Sequence, residues 1–188
     1  MRKFIKVVWP WGFFALVGCI PSLHPLYTEN DLIFEPSLVG EWSGKDSKET
    51  WTFTKNGDKE YKLLCVDKGG KKGEFIVYVL RVEGRLFVDF FPAESDLKEN
   101  DFYKMHFMPV HTFMRIQQIE PTLQLAYLKP DWIKKLLQED PGAIRHEKVG
   151  DTFVLTAQPK ELQALLIKCE KTAEAWGECD PLTRKKKS

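Results

Sequence analysis

The side chains best suited to metal binding are four histidines spread along the chain. His106 and His111 bracket the segment 107–110, and a third ligand would have to come from His24 or His146. A zinc site in a protein needs at least three protein ligands. Two histidines close in sequence supply only part of such a set, so we interpret them as exposed or hydrogen-bonded residues. We predict no metal site and no cofactor.

Asp89 is the most unusual carboxylate, because it lies between Val88 and Phe90 in an apolar stretch. A buried carboxylate must be paired or uncharged. We interpret Asp89 as one half of a structural ion pair, with a catalytic acid as the alternative. The candidate partners are Arg81, Arg85 and Arg115.

Sequence motifs of the common enzyme classes are missing from the chain. It has no Gly-x-Ser-x-Gly, no His-Glu-x-x-His, no glycine-rich phosphate loop and no Cys-x-x-Cys. Such motifs place a nucleophile, metal ligands or backbone amides where a reaction needs them. The chain has 28 lysines and arginines against 27 aspartates and glutamates, so there is no electrostatic case for binding nucleic acid. We predict that the protein is not an enzyme.

The beginning of the chain has the pattern of an export signal. Three cations, Arg2, Lys3 and Lys6, precede an uncharged apolar run over 7–18, which is shorter than the roughly 20 residues that cross a bilayer. The run ends in Leu16-Val17-Gly18-Cys19, which resembles the lipobox of bacterial lipoproteins. The resemblance implies cleavage before Cys19 and acylation of its thiol; the alternative is an ordinary buried cysteine.

The lipobox also divides the chain. It implies a signal peptide over 1–18, a short tether over 19–25 and a single β-rich domain over 26–188 with a basic tail. By the sorting rule of Gram-negative lipoproteins, Ile20 in place of aspartate resembles proteins of the outer membrane that face the periplasm. We expect a lipid-anchored protein of the cell envelope. The tail Arg184–Lys187 is then a solvated end, or is weakly attracted to anionic headgroups.

Three cysteines follow the one in the lipobox. Export would place them in an oxidising compartment. We predict a disulfide between Cys169 and Cys179, which would close a short loop worth roughly 2–3 kcal/mol in the chain-entropy model. Cys65 lies in an alternating apolar stretch, and we interpret it as a small buried residue.

Alternating apolar and polar residues predict a series of β-hairpins. Asn56-Gly57 and Glu83-Gly84 are turn sequences between such stretches. Regular spacing of short strands and turns favours an antiparallel barrel or sandwich. The predicted strands cover 39–42, 50–54, 60–66, 74–82, 85–91, 110–119, 122–128, 144–149 and 152–156.

Two segments change to a helical period. Pro130 and Pro159 suit the first turns of helices over 130–137 and from 159 onward, the second with an apolar stripe ending at Cys169. The segment 93–101 is polar and is predicted to be a loop. We therefore predict a mainly β (α+β) fold, in which an antiparallel meander forms a small barrel or strongly bent sheet with two short helices.

Gly40-Glu41-Trp42 near the first strand resembles the Gly-x-Trp of lipocalins. That resemblance implies a calycin-like barrel in which Trp42 closes one end. The aromatic residues of the sheet are first of all core. If the barrel is hollow, the residues expected to line a ligand cavity are Trp42, Trp51, Phe53 and Phe87.

A second resemblance is to a group of bacterial lipoproteins without a known activity. Leu26-Tyr27-Thr28, Pro130-Asp131-Trp132 and the segment 156–163 carry it. We expect a membrane-anchored, non-catalytic envelope lipoprotein that binds a protein partner or supports envelope structure. The first alternative is a lipocalin-like carrier of a small apolar ligand. A hydrolase is the third hypothesis, with only scattered histidines and aspartates behind it.

Overall fold

A closed barrel of eight antiparallel strands forms the centre of the molecule, which confirms the predicted fold class. The computed structural model describes residues 19–94, 98 and 100–185. In order around the barrel, with β5 pairing β6 to close it, the strands are β5 (Lys72–Val82), β4 (Glu60–Val66), β3 (Thr50–Lys55), β2 (Gly40–Gly44), β12 (Leu182–Arg184), β8 (Thr122–Leu128), β7 (Thr112–Gln118) and β6 (Arg85–Pro92).

The remaining strands lie outside this ring. β1 (Leu32–Ile33) pairs with the far end of β5, and β11 (Trp176–Glu178) pairs with β8. β9 (His146–Val149) and β10 (Thr152–Leu155) form a separate two-stranded sheet. The hairpin predicted from the turn at 150–151 is therefore present, but it is not part of the barrel.

The helices lie in the connections between strands. α2 (Pro130–Glu139) and α3 (Pro159–Cys169) begin at the predicted prolines. α3 has a capping box between Gln158 and Glu161, which satisfies backbone amides of its first turn. A third helix, α1 (Asp101–Lys104), follows Asn100 and begins at the last residue of the segment 93–101 that was predicted to be a loop. The Asn100 side chain accepts the amide of Tyr103 and so caps this single turn.

Strand alternation divides the apolar residues between two cores. On β5, Val77 and Val79 face the barrel interior, whereas Leu80 belongs to an outer core beside α2 and α3. We call these the barrel core and the outer core. The outer core also takes Leu26 and Trp176 from segments that cross the barrel wall. The helices therefore stabilise the outside of the barrel.

The two barrel ends differ in what covers them. At the closed end are the turns 56–59, 83–84 and 119–121, and the 3₁₀ helix Pro36–Leu38 packs Leu38 into the barrel core. At the open end are the connections 45–49, 67–71 and 93–111. β8 runs antiparallel to β7 and therefore ends at the open end, so the helix that begins at Pro130 also starts here.

The segment 19–25, predicted to be a tether, packs along the barrel instead. Ile20 and Ser22 are buried, and backbone hydrogen bonds of 2.9 and 2.8 Å join Ser22 to His111. Ser22 also bridges to Leu155 of β10. The segment thus acts as a strap between β10 and the start of β7. In the part of the chain described, no helix is long and apolar enough to cross a membrane.

Candidate functional site: a cavity at the open end of the barrel

Trp42 and Arg184 seal the closed end. The Trp42 side chain is fully buried, and its Nε1 donates to the carbonyl of Leu38 at 2.9 Å. Arg184 lies directly opposite Trp42 in the β2–β12 register, and its Cζ is 4.2 Å from the centroid of the indole. A guanidinium over an indole face is a favourable cation–π arrangement. The predicted closure of one end by Trp42 is therefore compatible with a lipocalin-like barrel.

The same arginine ties the 3₁₀ helix to the barrel. Its Nη1 donates to Val39 O at 2.5 Å, and its Nη2 donates to Ser37 O and to Glu120 Oε1. Arg184 was predicted to belong to a solvated tail, and that prediction is wrong, because the side chain satisfies backbone carbonyls beside Trp42. Lys186 and Lys187 of the same tail lie outside the described part of the chain.

Gly40 of the Gly-x-Trp sequence is required by this contact. Its φ is +145°, and a Cβ at this position would lie 2.3 Å from Nη1 of Arg184. A side chain would therefore be strained and would also displace the guanidinium. The contact with Arg184, which is distant in sequence, therefore explains why the motif has glycine at position 40.

The barrel core is filled near the closed end and hollow near the open end. Near the closed end, Phe53 and Tyr61 are buried with Trp42 in the barrel core, and the Tyr61 hydroxyl donates to Glu35 O at 3.1 Å. Toward the open end lies a cavity of about 300 Å³. Its lining is Glu49, Trp51, Leu63, Cys65, Val66, Asp67, Phe75, Phe90, Thr112 and Met114.

Aromatic rings shape the apolar wall of this cavity, which we call the mouth cavity. Phe90 makes edge-on contacts with Trp51, at 5.8 Å between centroids, and with Phe75, at 6.5 Å. Glu49 and Asp67, from the loops at the open end, also line the cavity, and Oδ1 of Asp67 accepts the amides of Gly69 and Lys71. The cavity therefore combines an apolar wall with hydrogen-bond acceptors, which suits a small apolar molecule with a donor at one end.

Cys65 contributes a neutral group to the same wall. Burial raises the pKa of its thiol to about 12, so the sulfur is protonated at neutral pH. A protonated thiol is a poor nucleophile and behaves as a small apolar side chain. This agrees with the interpretation of Cys65 from the sequence.

The four aromatic residues predicted to line a cavity have three different positions. Trp51 lines the mouth cavity, whereas Trp42 and Phe53 pack in the filled part of the barrel core. Phe87 faces the outer core, because Val88 and Phe90 are the residues of β6 that point inward. Its assignment to the cavity is therefore wrong, by one step of strand alternation. Phe75, Phe90 and Met114 were not singled out in the sequence.

Asp89 is completely buried and its partner is His111. Oδ1 of Asp89 lies 2.7 Å from Nδ1 of His111, and Oδ2 accepts the amide of Leu26 at 2.7 Å. Burial raises the pKa of Asp89, and the hydrogen bond with His111 opposes that effect. The predicted arginine pairing is wrong, since Arg115 binds Glu170 instead, with two bonds of 3.0 Å. The pair thus fastens Leu26, the residue after the strap, to β6 and to His111 just before β7.

The other histidines lie apart from this pair. His106 donates to the carbonyl of Phe102, His146 donates to that of Ile144, and Gln158 contacts His24. Within the described residues, no group of three or more histidines, cysteines or carboxylates is placed to hold a metal ion.

Cys19 packs against the barrel core and lies at the wall of a second hollow, of about 600 Å³. Tyr127 at the end of β8 and Lys129, just beyond it, share this lining, so Cys19 is at the open end. Burial raises the pKa of the Cys19 thiol to about 11. The signal peptide predicted over 1–18 lies outside the described residues.

The predicted Cys169–Cys179 disulfide is not formed, and both residues are free cysteines. Cys169 is buried in the outer core at the end of α3. Cys179 packs against the barrel core, with its sulfur 4.0 Å from that of Met114. Because the two side chains belong to different cores, closeness in sequence does not bring the sulfurs together.

Comparisons of the chain with family models, with curated proteins and with solved structures gave no match. The lipocalin-like description therefore rests on the closed eight-stranded barrel and on the arrangement of Trp42 at its closed end.

Proposed function

We propose that the protein is a lipid-anchored envelope protein whose barrel binds a small apolar ligand at its open end, without catalysis. The observation that carries this proposal is the mouth cavity of about 300 Å³, with Trp51, Phe75 and Phe90 in its wall. Ligand sites in proteins are typically concave and apolar, with volumes of about 300–1,000 Å³ and few polar groups. The cavity is at the small end of that range.

The lining also suggests the chemistry of the ligand. Its apolar part would contact aromatic rings and Met114, while Glu49 and Asp67 could accept hydrogen bonds from a polar end. An adjoining hollow of about 640 Å³ shares Glu49 and Trp51 and leads out toward Lys45 and Asp180. A ligand longer than the cavity would extend along that hollow.

The anchor part of the proposal is supported by the lipobox resemblance at Leu16-Val17-Gly18-Cys19. Two or more acyl chains hold a protein stably at a membrane, whereas one binds only marginally. Changing Cys19 to serine in the full chain should abolish acylation. Labelling with radioactive palmitate tests this, and a labelled serine variant would contradict the anchor.

A second candidate function is the binding of a protein partner or support of the envelope. One observation favours it: five large apolar side chains between 102 and 108 are exposed at the open end. Such patches often mark interaction surfaces.

The ligand is tested by native mass spectrometry of the protein isolated from its own membranes, in a detergent that is removed in the gas phase. The expected result is a small-molecule adduct that disappears when the protein is denatured. Repeated preparations with the bare mass of the acylated chain would contradict a bound ligand and favour the second candidate.

A further inference from the structure

An exposed apolar segment projects from the open end between β6 and β7. Phe102, Tyr103, Met105, Phe107 and Met108 are between 52% and 74% exposed. Scattered apolar side chains are normal on a protein surface, but five within seven residues form a continuous patch. Removing that patch from water would be favourable.

The segment is organised, although it makes little contact with the barrel core. The ring of Phe102 packs edge-on against His106, and Tyr103 packs edge-on against Phe107, at centroid distances of 5.1 and 5.0 Å. His106 also donates through Nδ1 to the carbonyl of Phe102. These local contacts and the Asn100 cap hold one helical turn, so the apolar side chains are presented together.

The segment lies at the same barrel end as both the mouth cavity and Cys19. Phe90 and Thr112, on the strands that flank the connection, line the cavity. The backbone of Ser22 pairs with His111, only a few residues beyond Met108. The strap therefore links the start of the described chain directly to the base of the exposed segment.

The position of Cys19 argues that the occupant is a membrane. The lipid proposed for Cys19 would extend from this end of the barrel. Charge does not decide the occupant, because Lys104 pairs with Asp101 at 3.6 Å, and Asp131 and Asp151 line the hollow beside Cys19 together with Lys129 and Lys134. Aromatic and apolar side chains grouped on one surface are typical of segments that lie at a membrane interface.

We propose that residues 102–108 insert their apolar side chains into the interfacial layer of the bilayer and hold the barrel mouth against the membrane. This inference rests on the proposed lipid anchor and extends it, because an anchor alone leaves the barrel free to rotate. A mouth that faces the bilayer lets an apolar ligand pass between membrane and cavity without crossing bulk water.

The test is photo-crosslinking of the full chain in the membranes of the cells that make it. The photoreactive amino acid p-benzoylphenylalanine replaces Phe107 in one variant and Phe102 in a second. A matched control carries it at Asp58, an exposed position in a turn at the closed end. All three sites are at the surface, so folding should be retained, and a thermal melt of each variant checks this.

The expected result is a lipid adduct at positions 107 and 102 and no lipid adduct at position 58. Adducts to protein without lipid at 107 and 102 would overturn the inference and identify a partner surface. Equal lipid adducts at 107 and 58, or none at 107 and 102 in folded protein, would overturn it as well.

The mass of the N-terminal peptide, measured on the same samples, separates this inference from the anchor. An acylated Cys19 without lipid adducts at 107 and 102 would contradict the membrane-facing segment and leave the proposed anchor intact. Lipid adducts with an unmodified Cys19 would support the segment and contradict the anchor.

Discussion

Arg184 and Gly40 depend on each other at the closed end. The guanidinium covers Trp42 and donates to two backbone carbonyls and to Glu120, while the missing side chain of Gly40 leaves room for Nη1. The Arg184 side chain is 32% exposed, and its charged hydrogen bonds and cation–π contact together contribute on the order of 2–4 kcal/mol. The contact should therefore be visible in unfolding experiments.

We predict that Gly40→Ala and Arg184→Ala are not additive. Arg184→Ala should lower the free energy of unfolding by about 2–4 kcal/mol. Gly40→Ala should lower it further than backbone strain of about 1–3 kcal/mol alone, because it also displaces the arginine. In the Arg184→Ala background, Gly40→Ala should lower the free energy of unfolding only by the cost of the backbone strain. Urea denaturation of the single and double variants measures the coupling.

Gly70→Ala is the matched control for this cycle. Gly70 has a φ of +81°, and no atom lies within 4 Å of a Cβ placed there. Its substitution should lower stability by the same amount with and without Arg184. Additive effects of Gly40→Ala and Arg184→Ala would contradict the proposed dependence.

The second prediction at the residue scale concerns Asp89 and pH. Burial raises the folded-state pKa of this carboxyl above its unfolded value of about 3.9. A carboxyl whose pKa is raised in the folded state stabilises the fold at pH values below its unfolded-state pKa. That stabilisation is lost as the pH rises through the folded-state pKa. Relative to Asp89→Asn, the wild type should therefore lose stability as pH rises above about 4.

Denaturant unfolding of both proteins at a series of pH values measures this difference. The asparagine side chain retains an oxygen for the amide of Leu26, so the strap contact is preserved in the control. A wild type that gains stability over Asp89→Asn with rising pH would contradict the prediction. It would show that the His111 contact outweighs burial.

At the scale of elements, the strap is the feature with the least support from sequence patterns. Residues 19–25 contain two prolines and read as a tether, yet Ile20 and Ser22 are buried and Leu26 donates to Asp89. We predict slow hydrogen exchange at the amides of Ser22 and Leu26. Exchange as fast as at exposed Asp58 would contradict a packed strap.

The strands that local patterns specify were predictable, and the strands that barrel closure specifies were not. β3 through β6 follow from alternation and from the turns at Asn56-Gly57 and Glu83-Gly84. β12 is three residues long and lies beside a run of lysines, so only its long-range pairing with β2 and β8 makes it a strand. The position of Arg184 was missed for the same reason.

The candidate site was predicted only in part, again for a physical reason. Alternation shows that residues of a strand face two sides, but both sides of β6 are apolar because the barrel has a second core outside it. Phe87 and Phe90 are therefore equivalent by composition. Only the register with β5 and β7 decides that Phe90 faces the cavity.

For the whole molecule, the cavity, the exposed segment and Cys19 all lie at one barrel end, while Trp42 and Arg184 close the other. This polarity unites the two proposals. A carrier that exchanges an apolar ligand with a bilayer needs one accessible mouth, held near the lipid. Because the closed end is filled, the ligand would enter and leave through the open end.

The most direct test of the account compares two substitutions of Cys65, which lies in the cavity wall. Cys65→Phe should fill the mouth cavity, whereas Cys65→Ser should leave it open, and native mass spectra of both are compared with the wild type. We predict that the adduct is present in the wild type and Cys65→Ser and lost in folded Cys65→Phe. An adduct that persists in Cys65→Phe would contradict a ligand in the mouth cavity.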